Sequence, residues 1–104
     1  MTADQLFWQL AAELQAEDPR IAEGRVMSSR CLRVGKEFLA LVDHKGAGLV
    51  VKLPEGRVTE LVQSGVGRPF APAGRVFREW VAIAKLDRRR WLALLREGIG
   101  YATS

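Results

Sequence analysis

Near the N-terminus, apolar side chains recur with the period of an amphipathic helix. The residues that share this apolar stripe are Leu6, Phe7, Leu10, Ala11 and Leu14. Thr2 and Gln5 have the spacing of a capping box, in which two side chains satisfy free N–H groups at a helix start. We therefore expect helix one to end near Asp18-Pro19. Trp8 lies off the stripe and is expected to be partly exposed.

Between Ile21 and Leu53 the pattern changes to short β-type runs separated by turn residues. The runs cover residues 25–27, 30–34, 37–43 and 47–53. Gly35-Lys36 and His44-Lys45-Gly46 are short enough to close antiparallel hairpins. This part of the chain therefore predicts a meandering antiparallel sheet.

A second helical pattern follows the strands. Pro54 sets the φ angle of a first helical turn, and Val58, Leu61 and Val62 have helical spacing. Gly65 is placed to cap the C-terminus of this helix.

The remaining residues predict a loop, a strand and a third helix. Residues 66–74 are rich in glycine and proline and predict a loop around Phe70, and residues 75–84 predict the last strand. Asp87 is expected to cap helix three. The apolar stripe of that helix consists of Trp91, Leu94, Leu95, Ile99 and Ala102.

These elements predict one α+β domain over residues 1–104, a two-layer sandwich of a meandering antiparallel sheet with N-terminal, middle and C-terminal helices. We expect the helices on one face of the sheet. The other face is expected to be partly open or covered by a partner.

Composition narrows the class of protein. Hydrophobic residues make up 48% and charged residues 27% of the chain, which argues against disorder and against a membrane protein. No export signal is recognisable at the N-terminus. Because Cys31 is the single cysteine, no disulfide can form within one chain, and we expect the reducing environment of the bacterial cytoplasm.

Several segments, in order, resemble the TfoX N-terminal domain family. They are CLRVGKEFLA (residues 31–40), VKLP (51–54), RPF (68–70) and REWV (78–81). The resemblance implies a fold related to the YjbR and MmcQ-like proteins, in which a sheet packs on helices. It implies no catalytic residues, and it associates the chain with competence regulation or DNA binding.

Residues suited to catalysis or metal binding are few. His44 is the only histidine and is expected in a solvated turn, since only Asp43 is a neighbouring triad partner. One histidine and one cysteine cannot complete a tetrahedral zinc site. Cys31 is expected to be half-buried in a strand, and a redox role would require exposure and a lowered pKa. We expect no enzyme activity, no metal, no cofactor and no small-molecule substrate.

The chain carries a formal net charge of +4, and its most unusual cluster is Arg88-Arg89-Arg90. Cations in the first turn of a helix oppose the macrodipole, and a bound anion would offset this cost. Arg96 extends the patch on the solvent face. Alternatively, Asp87 caps the helix and the arginines pair with acids on the sheet or on helix two.

Two functions compete, and an enzyme whose pocket is assembled between two subunits ranks third. The first is a non-enzymatic module that binds DNA weakly and independently of sequence through Arg88, Arg89, Arg90 and Arg96. The second is a homodimeric protein-interaction module with Trp8 in its interface. Trp80 and Trp91 lie in apolar-periodic segments and are expected in the core rather than on a stacking surface.

Overall fold

A computed structural model describes residues 1–43, 45–46 and 48–104 of the protein. The three α-helices are α1 (Ala3–Glu17), α2 (Glu55–Gln63) and α3 (Arg88–Ala102). The six strands are β1 (Ile21–Val26), β2 (Ser29–Val34), β3 (Glu37–Asp43), β4 (Gly48–Lys52), β5 (Arg68–Phe70) and β6 (Phe77–Ile83). They form one sheet in the order β1-β2-β3-β4-β6-β5, with every neighbouring pair antiparallel. The predicted α+β class is confirmed.

The three helices pack on one face of this sheet. Their buried side chains, including Phe7 of α1, Leu61 of α2 and Trp91 of α3, share one core cluster with inward-facing residues of the strands. The side chain of Trp91 is fully buried, and its indole Nε1 donates a hydrogen bond to the carbonyl of Lys85 at 2.9 Å. The expectation that Trp91 is a core residue is therefore confirmed.

The helix caps lie at the expected positions. Thr2 and Gln5 form a reciprocal capping box at the start of α1. The Asp87 carboxylate accepts a hydrogen bond from the backbone N–H of Arg90 at 3.0 Å. Gly65 follows α2 with a φ of +81°, a conformation that glycine adopts without strain.

The boundaries of the first strands differ from the prediction. The first strand covers Ile21–Val26 rather than residues 25–27. Met27 and Ser28 have φ angles of 48° and 64° and form the two-residue turn between β1 and β2. The prediction left a break at residues 28–29, one residue later than this turn, because the turn contains no glycine, asparagine or aspartate to mark its position.

The segment between α2 and α3 also differs. Within the expected loop of residues 66–74, the residues of β5 pair with β6 at the edge of the sheet. Pro69 is acceptable there because an edge strand does not need every N–H group for the ladder. The last strand begins at Phe77 rather than at residue 75, after a short 3₁₀ turn at Pro72–Gly74.

Candidate functional site

The face of the sheet away from the helices carries a second apolar cluster. Five of its members are buried and four are partly exposed, and none comes from a helix. We call this set the sheet-face cluster: Cys31, Leu41, Val50, Phe70 and Ala82, with Val26, Phe38, Phe77 and Trp80 at its surface. A half-exposed apolar face of this kind is a feature of binding surfaces.

Aromatic rings dominate this cluster. Trp80 stacks on Phe38 with ring centroids 4.2 Å apart and on Phe77 with centroids 4.8 Å apart. Phe77 and Trp80 would face opposite sides of a regular strand, because they are three residues apart. A register shift in the β5–β6 pair, between Pro69 and Phe70, brings both rings to the same face.

The expectation that Trp80 is a core residue is wrong. Trp80 is partly exposed and lies on the face without helices. Its place beside Val81 in the last strand suggested burial, but the side chain opposite to it on β4 is Lys52, not an apolar residue.

Four cations surround the sheet-face cluster, and we call them the cationic rim. Lys52 lies opposite Trp80, and Arg68 lies opposite Ala82, so both share the face of these partners. The Arg75 guanidinium lies 5.4 Å from the centre of the Phe77 ring. The side chain of Arg33 covers Gly24, which is paired with Cys31.

No residue of the cationic rim has a carboxylate within 4.0 Å in the described part of the chain. The seven ion pairs there engage seven of the twelve acidic side chains and leave the cationic rim out. Most of the other carboxylates accept hydrogen bonds from uncharged donors, as Asp4 does from Trp8 and Glu79 from Tyr101. Ten of the sixteen basic side chains lie outside these ion pairs, and four of those ten form the cationic rim.

The arginines of α3 do not form the expected free cluster. Arg88 is hydrogen-bonded to Glu13, and Arg96 makes two hydrogen bonds to Glu17, at 2.9 and 3.1 Å. The acids thus come from α1, not from the sheet or α2 as the alternative proposed. Arg89 and Arg90 are exposed and have no carboxylate within 4.0 Å among the described residues.

These pairs reduce the positive potential of the α3 surface. The hydrogen bonds from Arg96 lower the pKa of Glu17, so its carboxylate stays negative beside the arginines. A phosphate that approaches Arg88 or Arg96 therefore also meets Glu13 or Glu17. Of the four predicted nucleic-acid-binding residues, only Arg89 and Arg90 have no carboxylate within 4.0 Å of the guanidinium in the described part of the chain.

Trp8 is partly exposed, as expected, but its ring is in contact with charged side chains of the same chain. The Arg30 guanidinium lies 4.0 Å from the centre of the ring, and the indole Nε1 donates to Asp4 at 3.2 Å. Arg30 also makes hydrogen bonds to Glu23 at 2.8 and 2.9 Å. Trp8 is thus stabilised within its own chain, and this weakens the reason for assigning it to an interface.

Cys31 does not have the features of a redox residue. It is 3% exposed, more buried than expected, and this burial raises the pKa of its thiol. The described residues contain no group of three metal-ligating side chains. His44 lies outside the described residues.

A groove of about 350 Å³ lies between α2 and the β5–β6 edge. Its apolar lining includes Val58 and Val62 of α2, and Phe77 and Trp80 are shared with the sheet-face cluster. Glu55 and Arg78 stand at its rim, with the charged atoms 4.0 Å apart. The groove can hold an apolar group, and its polar lining includes Thr59 beside Glu55 and Arg78.

The residues of the sheet face were missed by the sequence interpretation, although one signal was present. Residues 38–42 form an unbroken apolar run, whereas a strand with one face in water alternates apolar and polar residues. Such a run indicates that both faces of the strand are apolar. It does not indicate which cations surround the outer face.

The fold and the site thus define an α+β domain with an aromatic, cation-bordered sheet face. No protein-family model matches the chain, and no curated protein and no solved structure is significantly similar to it. No described helix is long and apolar enough to cross a membrane.

Proposed function

We propose that this chain is a non-enzymatic module that binds nucleic acid, with the sheet-face cluster and its cationic rim as the contact surface. The observation that carries the proposal is the placement of partly exposed aromatic rings between cations that have no carboxylate within 4.0 Å in the described part of the chain. Phosphates supply the missing charge, and unpaired bases offer flat apolar surfaces to the rings.

This surface favours a single strand over a duplex. Bases in a duplex are stacked on each other and cannot reach Phe38 or Phe77, whereas a single strand can turn its bases toward the rings. The binding is expected to be weak and nearly independent of sequence, because phosphate contacts and stacking carry little base information. The α3 arginines, which the sequence analysis favoured, become a secondary phosphate contact through Arg89 and Arg90.

The test is a salt series of fluorescence anisotropy titrations with a labelled oligothymidylate and with a duplex of the same length. If the cationic rim binds phosphates, Lys52→Ala and Arg75→Ala each lower the slope of log affinity against log salt by about 0.7 on the single strand. Arg88→Ala is the matched control, since it removes one positive charge from an ion-paired position. It should change the slope much less.

Three outcomes contradict this assignment. Affinity that is undetectable at low salt removes nucleic acid as the ligand. A stronger effect of Arg89→Ala than of Lys52→Ala moves the contact to α3. Tighter binding of the duplex, with no loss in Trp80→Leu, removes the stacking role of the sheet face.

The second candidate function is a homodimeric protein-interaction module. The observation that favours it is the outer edge of β1, which has no neighbouring strand in the described part of the chain.

A further inference from the structure

The outer edge of β1 presents free backbone groups in a defined pattern. The two-residue turn at Met27-Ser28 makes Val26 and Ser29 a hydrogen-bonded pair, and such pairs then alternate along β1 and β2. Glu23 and Arg25 lie between these pairs, so their N–H and C=O groups point away from β2. No strand accepts them within the described residues.

We propose that two copies of this chain pair antiparallel through β1, about a two-fold axis at Gly24, to form one continuous sheet. This inference rests on the second candidate function, the homodimeric module, and does not depend on nucleic-acid binding. An unpaired edge strand is a template for another strand, and a two-fold axis makes both contacts identical. The occupant is a second copy because the charges of β1 complement each other under that axis.

The charges distinguish the three axes that lie at Glu23, Gly24 and Arg25, near the middle of β1. With the axis at Gly24, Glu23 faces Arg25 of the second copy, and Arg25 faces Glu23 of the second copy. An axis at Glu23 or at Arg25 would place like charges directly opposite each other, which is unfavourable. An axis between two residues would align outward-pointing groups of one strand with inward-pointing groups of the other, and the ladder could not form.

The neighbouring side chains support this register on both faces of the sheet. On the helix face, Arg30 holds Glu23 in place through two hydrogen bonds, and Arg25 has no carboxylate within 4.0 Å in the described part of the chain. On the other face, Ala22 would lie opposite Val26 of the second copy. Val26 belongs to the sheet-face cluster, so this contact extends the apolar surface across the axis.

Cross-linking at the axis tests the register. In a Cys31→Ala background, Gly24→Cys places two thiols at a non-hydrogen-bonded pair, where the Cα atoms are about 4.5 Å apart and a disulfide can form. The added side chain meets only the flexible Arg33 side chain. Mild oxidation should give a covalent dimer on a non-reducing gel. Ala22→Cys is the control. It should run as a monomer on the same gel, because residue 22 faces Val26 of the second copy and its thiol has no thiol opposite to it.

A charge exchange tests the proposal without cysteines. Arg25→Glu gives an edge with two acids, and Glu23→Arg gives an edge with two cations. Each variant alone should sediment as a monomer, and an equimolar mixture should recover the dimer mass of the unchanged protein. Arg90→Glu changes the net charge by the same amount as Arg25→Glu but lies on α3, away from β1, and this variant should remain dimeric. Circular dichroism establishes that each variant is folded.

Several results would overturn the proposal. A monomeric mass of the unchanged protein at high micromolar concentration excludes the dimer, and equal cross-linking through Gly24→Cys and Ala22→Cys excludes the register. Dimerisation that survives Arg25→Glu but is lost in Trp8→Ala assigns the interface to Trp8 instead. If Glu23→Arg does not fold, the cross-linking pair still decides the question. None of these assays contains nucleic acid, so their failure is distinct from a failure of the proposed ligand.

Discussion

Gly98 lies where α3 passes closest to the sheet, and its replacement by alanine is the sharpest test of the packing. A Cβ atom at Gly98 would be 2.8 Å from Leu39 Cδ1, 3.1 Å from Val51 Cγ2 and 3.2 Å from the carbonyl oxygen of Lys52. Alanine is the better helix former by about 1 kcal/mol. Overpacking of a buried contact costs about 1–3 kcal/mol, and a backbone carbonyl cannot move away as a flexible side chain can.

We therefore expect Gly98→Ala to lower the free energy of unfolding by about 1 kcal/mol, after the gain in helix propensity is subtracted. In a domain of this size, that change lowers Tm by about 4–8 °C. The measurement is urea and thermal unfolding at one protein concentration, followed by tryptophan fluorescence, to which the buried Trp91 contributes together with Trp8 and Trp80.

Gly100→Ala is the matched control in the same helix. A Cβ atom at Gly100 would have no heavy atom within 4 Å outside the adjoining backbone of its own helix, so only the gain in helix propensity remains. We expect an increase in stability of about 0.5 kcal/mol, less than the full value because the helix ends two residues later. If both alanine variants are more stable than the unchanged protein, α3 does not approach the sheet as closely as described.

Three further predictions concern the stability of the core, the dependence of stability on acid pH and the exposed ion pairs. Trp91→Ala should lower the free energy of unfolding by about 3–5 kcal/mol, because the side chain is fully buried. Trp80→Ala should lower it by only about 2 kcal/mol, because Trp80 is partly exposed. Equal losses of stability in urea unfolding would contradict the placement of the two side chains on opposite faces of the sheet. The hydrogen bonds from Arg20 hold the pKa of Asp18 at about 2, against an ordinary value of 3.8, so this carboxylate stabilises the fold above its ordinary pKa and the effect is lost as the pH falls toward 2. Thermal unfolding of Asp18→Asn should accordingly depend less on pH in this range, and an unchanged dependence would refute the link. Arg88→Ala should change the free energy of unfolding by at most about 1 kcal/mol, because its ion pair is exposed. A larger loss in chemical unfolding would show that the ion pair contributes substantially to stability.

Much of the fold could be predicted because it depends on local patterns. The stripe from Leu6 to Leu14, the capping box at Thr2 and the cap at Asp87 are set by neighbours within a few residues, and all three agree with the structure. The turn at Met27-Ser28 could not be predicted in the same way. There the antiparallel pairing of β1 with β2 holds two residues in an uncommon conformation that their types do not favour.

The candidate site was much harder to predict, because its residues are distant in sequence. Phe38 and Trp80 meet only after β3, β4 and β6 have paired, and the irregular β5–β6 register decides that Phe77 joins them. The prediction placed the positive surface on α3 because Arg88-Arg89-Arg90 is a run of cations in the first turn of the helix.

The sequence alone determined the fold class, since the periods of its apolar residues set the helices and most of the strands. It also determined the excess of positive charge. Only the tertiary structure decided which positive side chains are free of an acidic partner. The packing of α1 beside α3 brings Glu13 and Glu17 to Arg88 and Arg96. Lys52 and the rest of the cationic rim have no carboxylate within 4.0 Å in the described part of the chain. Contacts between side chains more than 70 positions apart carry no local signal, so the surface on which a partner binds follows from the fold and not from the pattern.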